Sequence, residues 1–168
     1  MKRLALSIAL FFFILGSAHA GQDSIRFSKP WDAPEFVHKD NKGNEHKLTD
    51  YAGSGLVVNF WATWCPPCVK EMPSLQRLAE QVSAAGIKVL GINMGEDAET
   101  TIEFAKKYEV SFPLLLDESM SSSSSWLIKG LPTTYLINSS GEVVATVIGE
   151  RAWDDPVIVE QIKTLQQN

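Results

Sequence analysis

The sequence of 168 residues has two cysteines, Cys65 and Cys68, which are separated by two prolines. Positions three apart on a helix lie on one face with Cα atoms roughly 5 to 6 Å apart, a separation that a disulfide can bridge. The pair follows the apolar run from Leu56 to Ala62 and precedes a stretch with helical periodicity. This pattern predicts a dithiol that opens and closes where a buried strand runs into a helix.

The position of the pair at a helix start distinguishes the two sulfurs. The first N–H groups of a helix are unpaired and its dipole is positive there, which stabilises a thiolate. We therefore expect Cys65 to be the nucleophile and Cys68 to be the resolving thiol. Pro66 and Pro67 suit the first helical turn but bring no N–H donor. The thiolate should thus be less stabilised than beside two ordinary residues, although the N–H of Cys68 stays available.

Metal binding and a purely structural disulfide are the alternatives for this cysteine pair. A four-coordinate zinc or soft-metal site needs two further ligands, usually Cys or His. The histidines are His19, His38 and His46, all upstream of the pair. A structural disulfide that closes so short a loop would constrain the unfolded chain little. Redox chemistry is the favoured interpretation.

Two separated motifs carry a resemblance to a known family. Residues 57 to 73 read VVNFWATWCPPCVKEMP and residues 130 to 137 read GLPTTYLI. The first resembles the active site of the thioredoxin superfamily, and closely that of its TlpA/ResA branch of exported thiol:disulfide oxidoreductases, which are related to AhpC/TSA and redoxin proteins. The second resembles the cis-proline loop of that branch. The likeness covers roughly residues 33 to 166 and implies a thioredoxin-like fold.

The resemblance also implies a substrate-binding surface. Pro132 is expected to be cis beside the disulfide, so that the backbone of Leu131 can pair with an incoming extended chain. Trp64 is expected to form an apolar rim for that chain, whereas Trp61 suits core packing. The residues predicted to bind substrate are Trp64, Pro66, Pro67, Leu131, Pro132 and Thr133.

Disulfide exchange also needs a group that takes up the second proton. Thioredoxins usually carry a buried acid on the strand before the motif, at the position that Asn59 occupies here, and an amide cannot take up a proton. Glu71 lies three residues beyond Cys68 on the same helix face, where the TlpA/ResA branch often has an acid. We therefore hypothesise that Glu71 deprotonates Cys68; the alternative is an ordinary solvated helix glutamate.

The first twenty residues have the pattern of a signal peptide. Lys2 and Arg3 precede an almost wholly apolar run from Leu4 to Leu15, and small residues lead to a cleavage site after Ala20. The apolar run is shorter than the roughly 20 residues that a membrane span prefers, which favours a cleaved leader over a retained anchor. The predicted organisation is a signal peptide (1–20), a polar, loosely held extension (21–32) and a thioredoxin-like domain (33–168).

The remaining patterns predict a single α/β domain with a central mixed β-sheet flanked by helices and an N-terminal β-hairpin. The turn-rich residues 40 to 44 indicate the hairpin, with His38 and His46 on its surface. In chain order we expect strand 56–62, helix 66–85, strand 87–94, a helix capped by Asp97, an extended segment 112–116, a short helix between 117 and 126, a hairpin of 133–138 and 142–148, and a helix from Pro156.

These observations predict an exported thiol:disulfide oxidoreductase in a bacterial periplasm, where disulfides persist. We expect a monomeric reductant of cysteine-containing proteins that needs no dissociable cofactor and is kept reduced by a membrane-embedded electron donor. Resemblance suggests cytochrome c maturation, although general redox upkeep fits as well. The formal net charge of −5 argues against a nucleic-acid partner. The alternatives are a disulfide-forming oxidant, and a metallochaperone or peptide-binding module that uses the same groove.

Overall fold

The computed structural model describes residues 24 to 167, and the predicted signal peptide lies outside this range. The strands and helices in chain order are β1 (Trp31–Asp32), β2 (Val37–Lys39), β3 (Glu45–Lys47), β4 (Leu56–Trp61), α1 (Pro66–Val82), β5 (Lys88–Met94), α2 (Ala98–Tyr108), β6 (Leu114–Asp117), α3 (Ser122–Ser125), β7 (Thr133–Ile137), β8 (Glu142–Ile148) and α4 (Pro156–Lys163).

Within residues 24 to 167, a six-stranded mixed sheet has the order β1-β8-β7-β4-β5-β6. β4 lies in its centre, parallel to β5 and antiparallel to β7. All six residues of β4 are buried, because both faces of the sheet are covered. The predicted mixed sheet and the predicted C-terminal hairpin are therefore confirmed.

The two faces of the sheet are covered by different elements. Alternate residues of a strand point to opposite faces, so Val57, Asn59 and Trp61 of β4 face one way. On that side the apolar residues of α1, α2 and α4 complete the core. On the other side Val58 and Phe60 pack with Phe36 of the hairpin segment and with aromatic residues beyond α3. Asn59 is thus directed towards α1, the helix that follows the cysteine pair.

The helix boundaries follow their capping residues. The Asp97 side chain accepts a hydrogen bond from the N–H of Thr100, and Asp155 caps α4 with Pro156 at its first position. α1 is followed by a 3₁₀ turn that ends at Gly86, which has φ 79°. The left-handed conformation there favours glycine and confirms the predicted helix stop.

Residues 24 to 32, the described part of the N-terminal extension, differ from their prediction. We expected a loosely held extension, but Ile25 is buried and exchanges hydrogen bonds with the Gln161 side chain at 2.8 and 3.0 Å. The N–H of Ser28 donates to the Val144 carbonyl at 2.7 Å, and β1 pairs with β8. The segment is held because it covers the edge of β8 and supplies an apolar side chain to the core.

The two hairpin histidines also differ from their prediction as surface residues. His38 lies 3.0 Å from the Ser122 hydroxyl, and His46 lies 2.6 Å from the Tyr51 hydroxyl. Both are half-buried, because β2 and β3 lie against the rest of the fold rather than projecting into solvent.

No helix between residues 24 and 167 is long and apolar enough to cross a membrane.

Candidate active site

The cysteine pair lies at the start of α1, as the sequence predicts. Cys65 and Cys68 form a disulfide with Cα atoms 5.3 Å apart. Cys65 is the N-cap residue and has extended backbone angles, while Cys68 is already helical. Cys68 is completely buried and Cys65 retains 4% exposure. The N-terminal sulfur is thus the one of the pair that a partner can approach.

The electrostatic support for the Cys65 sulfur comes from one backbone donor of the helix. The N–H of Cys68 points at Cys65 Sγ with an N–S distance of 3.4 Å. Pro66 and Pro67 occupy the first two helical positions, and neither has an N–H to donate. A helix terminus with ordinary residues there would offer further donors to a thiolate.

Glu71 lies on the buried face of α1 and is bound by three hydrogen-bond donors. Its Oε1 accepts from Asn59 Nδ2 at 2.8 Å. Its Oε2 accepts from the Trp153 indole N–H at 2.9 Å and from the backbone N–H of Arg151 at 3.1 Å. The residue is 2% exposed, so it is not the solvated helix glutamate of the alternative interpretation.

The environment of Glu71 has opposing effects on its acidity. Burial disfavours the carboxylate and is the largest influence, whereas the three donors favour the charged form and nearby Glu150 opposes it. The net result raises the pKa of Glu71 to about 7. A carboxyl group with this pKa can both accept and release a proton near neutral pH.

Asn59 connects Glu71 to the central sheet. Besides its bond to Glu71, its Nδ2 donates to the Thr134 hydroxyl on β7 at 2.8 Å. The sequence supports the role of Glu71 partly through the amide at Asn59, but it predicts neither their hydrogen bond nor the parts that Trp153 and Thr134 play. The signal for Glu71 was present, because it falls on the helical stripe that includes Cys68 and Met72. The contact with Trp153 had no local signal, since 82 residues separate the two.

Glu96 is a second carboxylate near the disulfide that sequence reasoning missed. Its Oε2 accepts from the backbone N–H of Thr63 and from Asn93 Nδ2, both at 2.7 Å. The hydroxyl of Thr63 also donates to the Glu96 carboxylate. Glu96 therefore ties the loop after β5 to the loop that carries Trp64 and Cys65.

A cavity of about 470 Å³ adjoins Cys65 and has mainly apolar walls. We call it the substrate groove, and its lining residues include Trp64, Cys65, Pro66, Pro67, Met94, Met120, Ile128 and Leu131. Trp64 is 61% exposed at its rim, whereas Trp61 is fully buried in the core, as expected. The groove therefore gives Cys65 a mainly apolar surface on its open side.

The structure groups only some of the predicted substrate-binding residues in the groove. Leu131 lines it and precedes Pro132 through a cis peptide bond, as the motif predicts. Pro132 and Thr133 are buried beside it, and the Thr133 hydroxyl donates to the Gly130 carbonyl at 2.7 Å. Met120, which has φ 58°, was missed, because the serine-rich sequence around it gives no pattern.

Residues 24 to 167 contain no cluster of three or more His, Cys, Asp or Glu side chains placed to hold a metal ion. The two histidines within this range have other hydrogen-bond partners. His46 is engaged with Asp40 and Tyr51, and His38 is engaged with Ser122.

Comparisons with known proteins agree with the geometry. Residues 31 to 146 match the AhpC/TSA family. Thiol-disulfide oxidoreductase ResA of Bacillus subtilis is 38% identical over 87% of this chain and 80% of its own length. ResA of Geobacillus kaustophilus is 38% identical over 73% of this chain and 71% of its own.

Solved structures show the same fold. A thiol:disulfide interchange protein DsbE from Chlorobium tepidum superposes with a TM-score of 0.75 at 27% identity, covering 84% of this chain and 99% of that chain. StoA from Bacillus subtilis superposes with a TM-score of 0.64 at 27% identity, covering 79% of this chain and 96% of that chain. The resemblance that the two motifs carry is confirmed by these matches.

Proposed function

Because the chain belongs to the AhpC/TSA family and is a thiol:disulfide oxidoreductase, we propose that it acts as an exported reductant of protein disulfides. In this proposal Cys65 is the nucleophile, Cys68 is the resolving thiol and Glu71 is the base that deprotonates Cys68. The substrate groove receives the polypeptide that carries the disulfide.

The single backbone donor at Cys65 is the observation that supports a reductant. A strongly stabilised thiolate favours the reduced protein and makes an oxidant, whereas weak stabilisation favours the disulfide and makes a reductant. The helix offers Cys65 Sγ the N–H of Cys68, while Pro66 and Pro67 offer none. The disulfide form should therefore be the favoured one.

The reaction begins with the attack of the Cys65 thiolate on the substrate disulfide. A mixed disulfide forms, and the first substrate sulfur leaves as a thiolate. Glu71 takes the proton of Cys68, whose thiolate then attacks Cys65 Sγ. The second substrate sulfur leaves, and the protein keeps the Cys65–Cys68 disulfide. Two electrons have moved to the substrate, and one proton remains on Glu71.

The substrate groove supports an extended, cysteine-containing polypeptide as substrate. Its walls are mainly apolar around Cys65, and Leu131, which precedes the cis Pro132, is one of its lining residues. A peptide that pairs with the backbone of Leu131 as an added strand would place a disulfide sulfur in line with Cys65. Apocytochrome c, whose paired cysteines must be reduced before haem attachment, fits this substrate class.

Export follows from the N-terminal pattern. Residues 1 to 20 are proposed as a cleaved signal peptide that delivers the chain to an oxidising compartment. A reductant there is converted to its disulfide in each turnover and must be reduced again. We assign this step to an electron donor embedded in the membrane, because the reducing equivalents must then cross the membrane from the cytosol.

Trapping the mixed disulfide tests this proposal. Cys68→Ser removes the thiol that resolves the mixed disulfide on Cys65, so the reduced variant should form a stable one-to-one adduct with a synthetic peptide disulfide. The matched variant Cys65→Ser should form none, because Cys68 is completely buried. Mass spectrometry of the intact adduct and of its peptides locates the bond. An adduct on Cys68, or none with either variant, would show that the assignment of the nucleophile is wrong.

A further inference from the structure

A second cavity, of about 310 Å³, reaches Glu71 from a side of α1 that the substrate groove does not use. We call it the loop cavity, because it lies between α1 and the loop that joins β8 to α4. The residues that line it include Lys70, Glu71, Arg77, Glu150, Arg151 and Asp154. None of its lining residues also lines the substrate groove.

The loop between β8 and α4 binds Oε2 of Glu71. The backbone N–H of Arg151 and the indole N–H of Trp153 both donate to Oε2, at 3.1 and 2.9 Å. Oε1 instead faces β4 through Asn59. The two carboxyl oxygens thus bind different elements, Oε1 the central sheet and Oε2 the loop, and Glu71 itself is one of the residues that line the loop cavity.

Two ion pairs lie at the solvent-exposed edge of this cavity. Lys70 forms an ion pair with Glu150, and their side chains are 74% and 39% exposed. Arg77 forms an ion pair with Asp154 at 2.6 Å. The loop cavity is therefore bordered by charged, partly exposed side chains beside a carboxyl group that is itself 2% exposed.

We propose that the loop cavity is the route by which the proton that Glu71 takes from Cys68 reaches solvent, and that Glu150 and Lys70 shift the pH at which this occurs. The inference rests on the role of Glu71 in the proposed function. The proton moves from Cys68 Sγ to Glu71 and from the Glu71 carboxyl to water in the loop cavity. The Glu71 carboxylate is then restored for the next turnover.

A separate route has a mechanistic reason. During the mixed disulfide the substrate covers Cys65 and fills the groove, so water is excluded on that side. A substrate in the groove leaves the loop cavity uncovered, because the two linings share no residue. Proton release therefore need not await departure of the substrate.

The charged groups that face Glu71 come from two elements. Lys70 and Arg77 lie on α1, and Glu150, Arg151 and Asp154 lie on the loop. β4 and β7 contribute the uncharged groups of Asn59 and Thr134. Of the carboxylates, Glu150 is the one that raises the pKa of Glu71 by repulsion, to a smaller extent than burial does. Glu150 and Lys70 act on the exchange through Glu71 and are positioning residues.

The test is the pH dependence of mixed-disulfide resolution, measured by rapid mixing of the reduced protein with a peptide disulfide. Glu150→Gln removes a negative charge and should move the inflection to lower pH, by on the order of half a pH unit. Lys70→Met leaves the negative charge of Glu150 without its ion-pair partner and should move the inflection to higher pH. Both variants break the same ion pair, so opposite shifts separate charge from simple loosening of the loop.

Controls separate this inference from the function on which it rests. Glu160→Gln breaks a surface ion pair with Lys163 on α4 and should leave the inflection in place. Glu71→Gln should abolish it. If Glu71→Gln changes nothing, the proposed role of Glu71 is wrong. Suppose instead that Glu71→Gln abolishes the inflection, while Glu150→Gln and Lys70→Met leave it in place as Glu160→Gln does. The proposal that Glu150 and Lys70 influence Glu71 is then wrong.

The route itself is tested by filling the cavity without changing charge. Ala152 lines the loop cavity and is exposed. Ala152→Leu should lower the rate of resolution at high pH and leave its inflection in place, while attack by Cys65 keeps its wild-type rate. ¹³C carboxyl titration of Glu71 in this variant checks that the carboxyl environment is intact. A wild-type rate of resolution with the cavity filled would overturn the proposed route.

Discussion

At the level of single residues, the Glu71 carboxyl shows how burial can outweigh hydrogen bonding. Three donors favour its ionised form, yet its pKa is raised to about 7 because the group is removed from water. Asn59, at the position where thioredoxins usually carry an acid, serves as one of those donors. In this chain the acid lies on the helix α1, and the strand β4 supplies an amide that donates a hydrogen bond to it.

The raised pKa of Glu71 makes folding stability depend on pH. The folded-state value of about 7 lies above the ordinary 4.5, so the contribution of Glu71 is complete below about pH 4.5 and is lost as the pH rises through 7. Between pH 5 and pH 8 the free energy of unfolding should fall by about 2 to 3 kcal/mol more in the wild type than in Glu71→Gln. Urea unfolding of the oxidised proteins at the two pH values measures the difference.

The matched control for this experiment is Glu103→Gln, which changes an exposed glutamate of α2. It should follow the pH dependence of the wild type. Parallel curves for the wild type and Glu71→Gln would mean that Glu71 titrates normally in the folded protein, and the proposed proton transfer near neutral pH would lose its basis.

At the level of elements, two loops at the ends of β4 and β5 position the redox centre. The loop after β5 supplies Glu96, whose carboxylate binds the backbone and hydroxyl of Thr63 just before Trp64 and Cys65. Parallel strands bring the loops at their carboxyl ends to the same edge of the sheet. The rigid strands therefore fix the place of the loop, and Glu96 fixes its conformation.

Removal of this link should disturb both stability and exchange. Glu96→Ala leaves the N–H of Thr63 and the amide of Asn93 without their acceptor, which should cost about 2 to 3 kcal/mol. The rate of attack by Cys65 should fall about tenfold, because the loop no longer holds Trp64 and Cys65 in one position. Urea unfolding and single-turnover kinetics, with Glu103→Ala as control, measure the two effects. A stable variant with wild-type kinetics would show that the loop does not depend on Glu96.

The elements themselves were largely predictable, and many of the contacts between them were not. Periodicity identified β4 and α1, and capping residues such as Asp97 marked helix starts, because these signals lie within a few neighbouring residues. Ile25 and Gln161 are 136 residues apart in the sequence, and no local pattern predicts their contact. For the same reason the sequence suggested Glu71 as a base but not the Trp153 indole that holds it.

At the level of the whole molecule, the disulfide lies between two openings with different properties. The substrate groove is apolar and adjoins Cys65, while the loop cavity is charged and adjoins Glu71. In the proposed reaction, electron transfer occurs at the substrate groove and the proton leaves through the loop cavity. α1 connects them, because its N-terminus carries the cysteines and its inward face carries Glu71.

The central claim is that this arrangement makes a reductant, and its reduction potential tests the claim directly. The protein is equilibrated with a series of glutathione redox buffers, and the Cys65–Cys68 disulfide is quantified by alkylation and mass spectrometry. As a matched variant, Pro67→Ala restores one N–H in the first turn of α1 and should shift the potential by tens of millivolts in the oxidising direction. We predict a wild-type potential near or below about −200 mV, whereas one near the roughly −120 mV of strong disulfide oxidants would contradict the account.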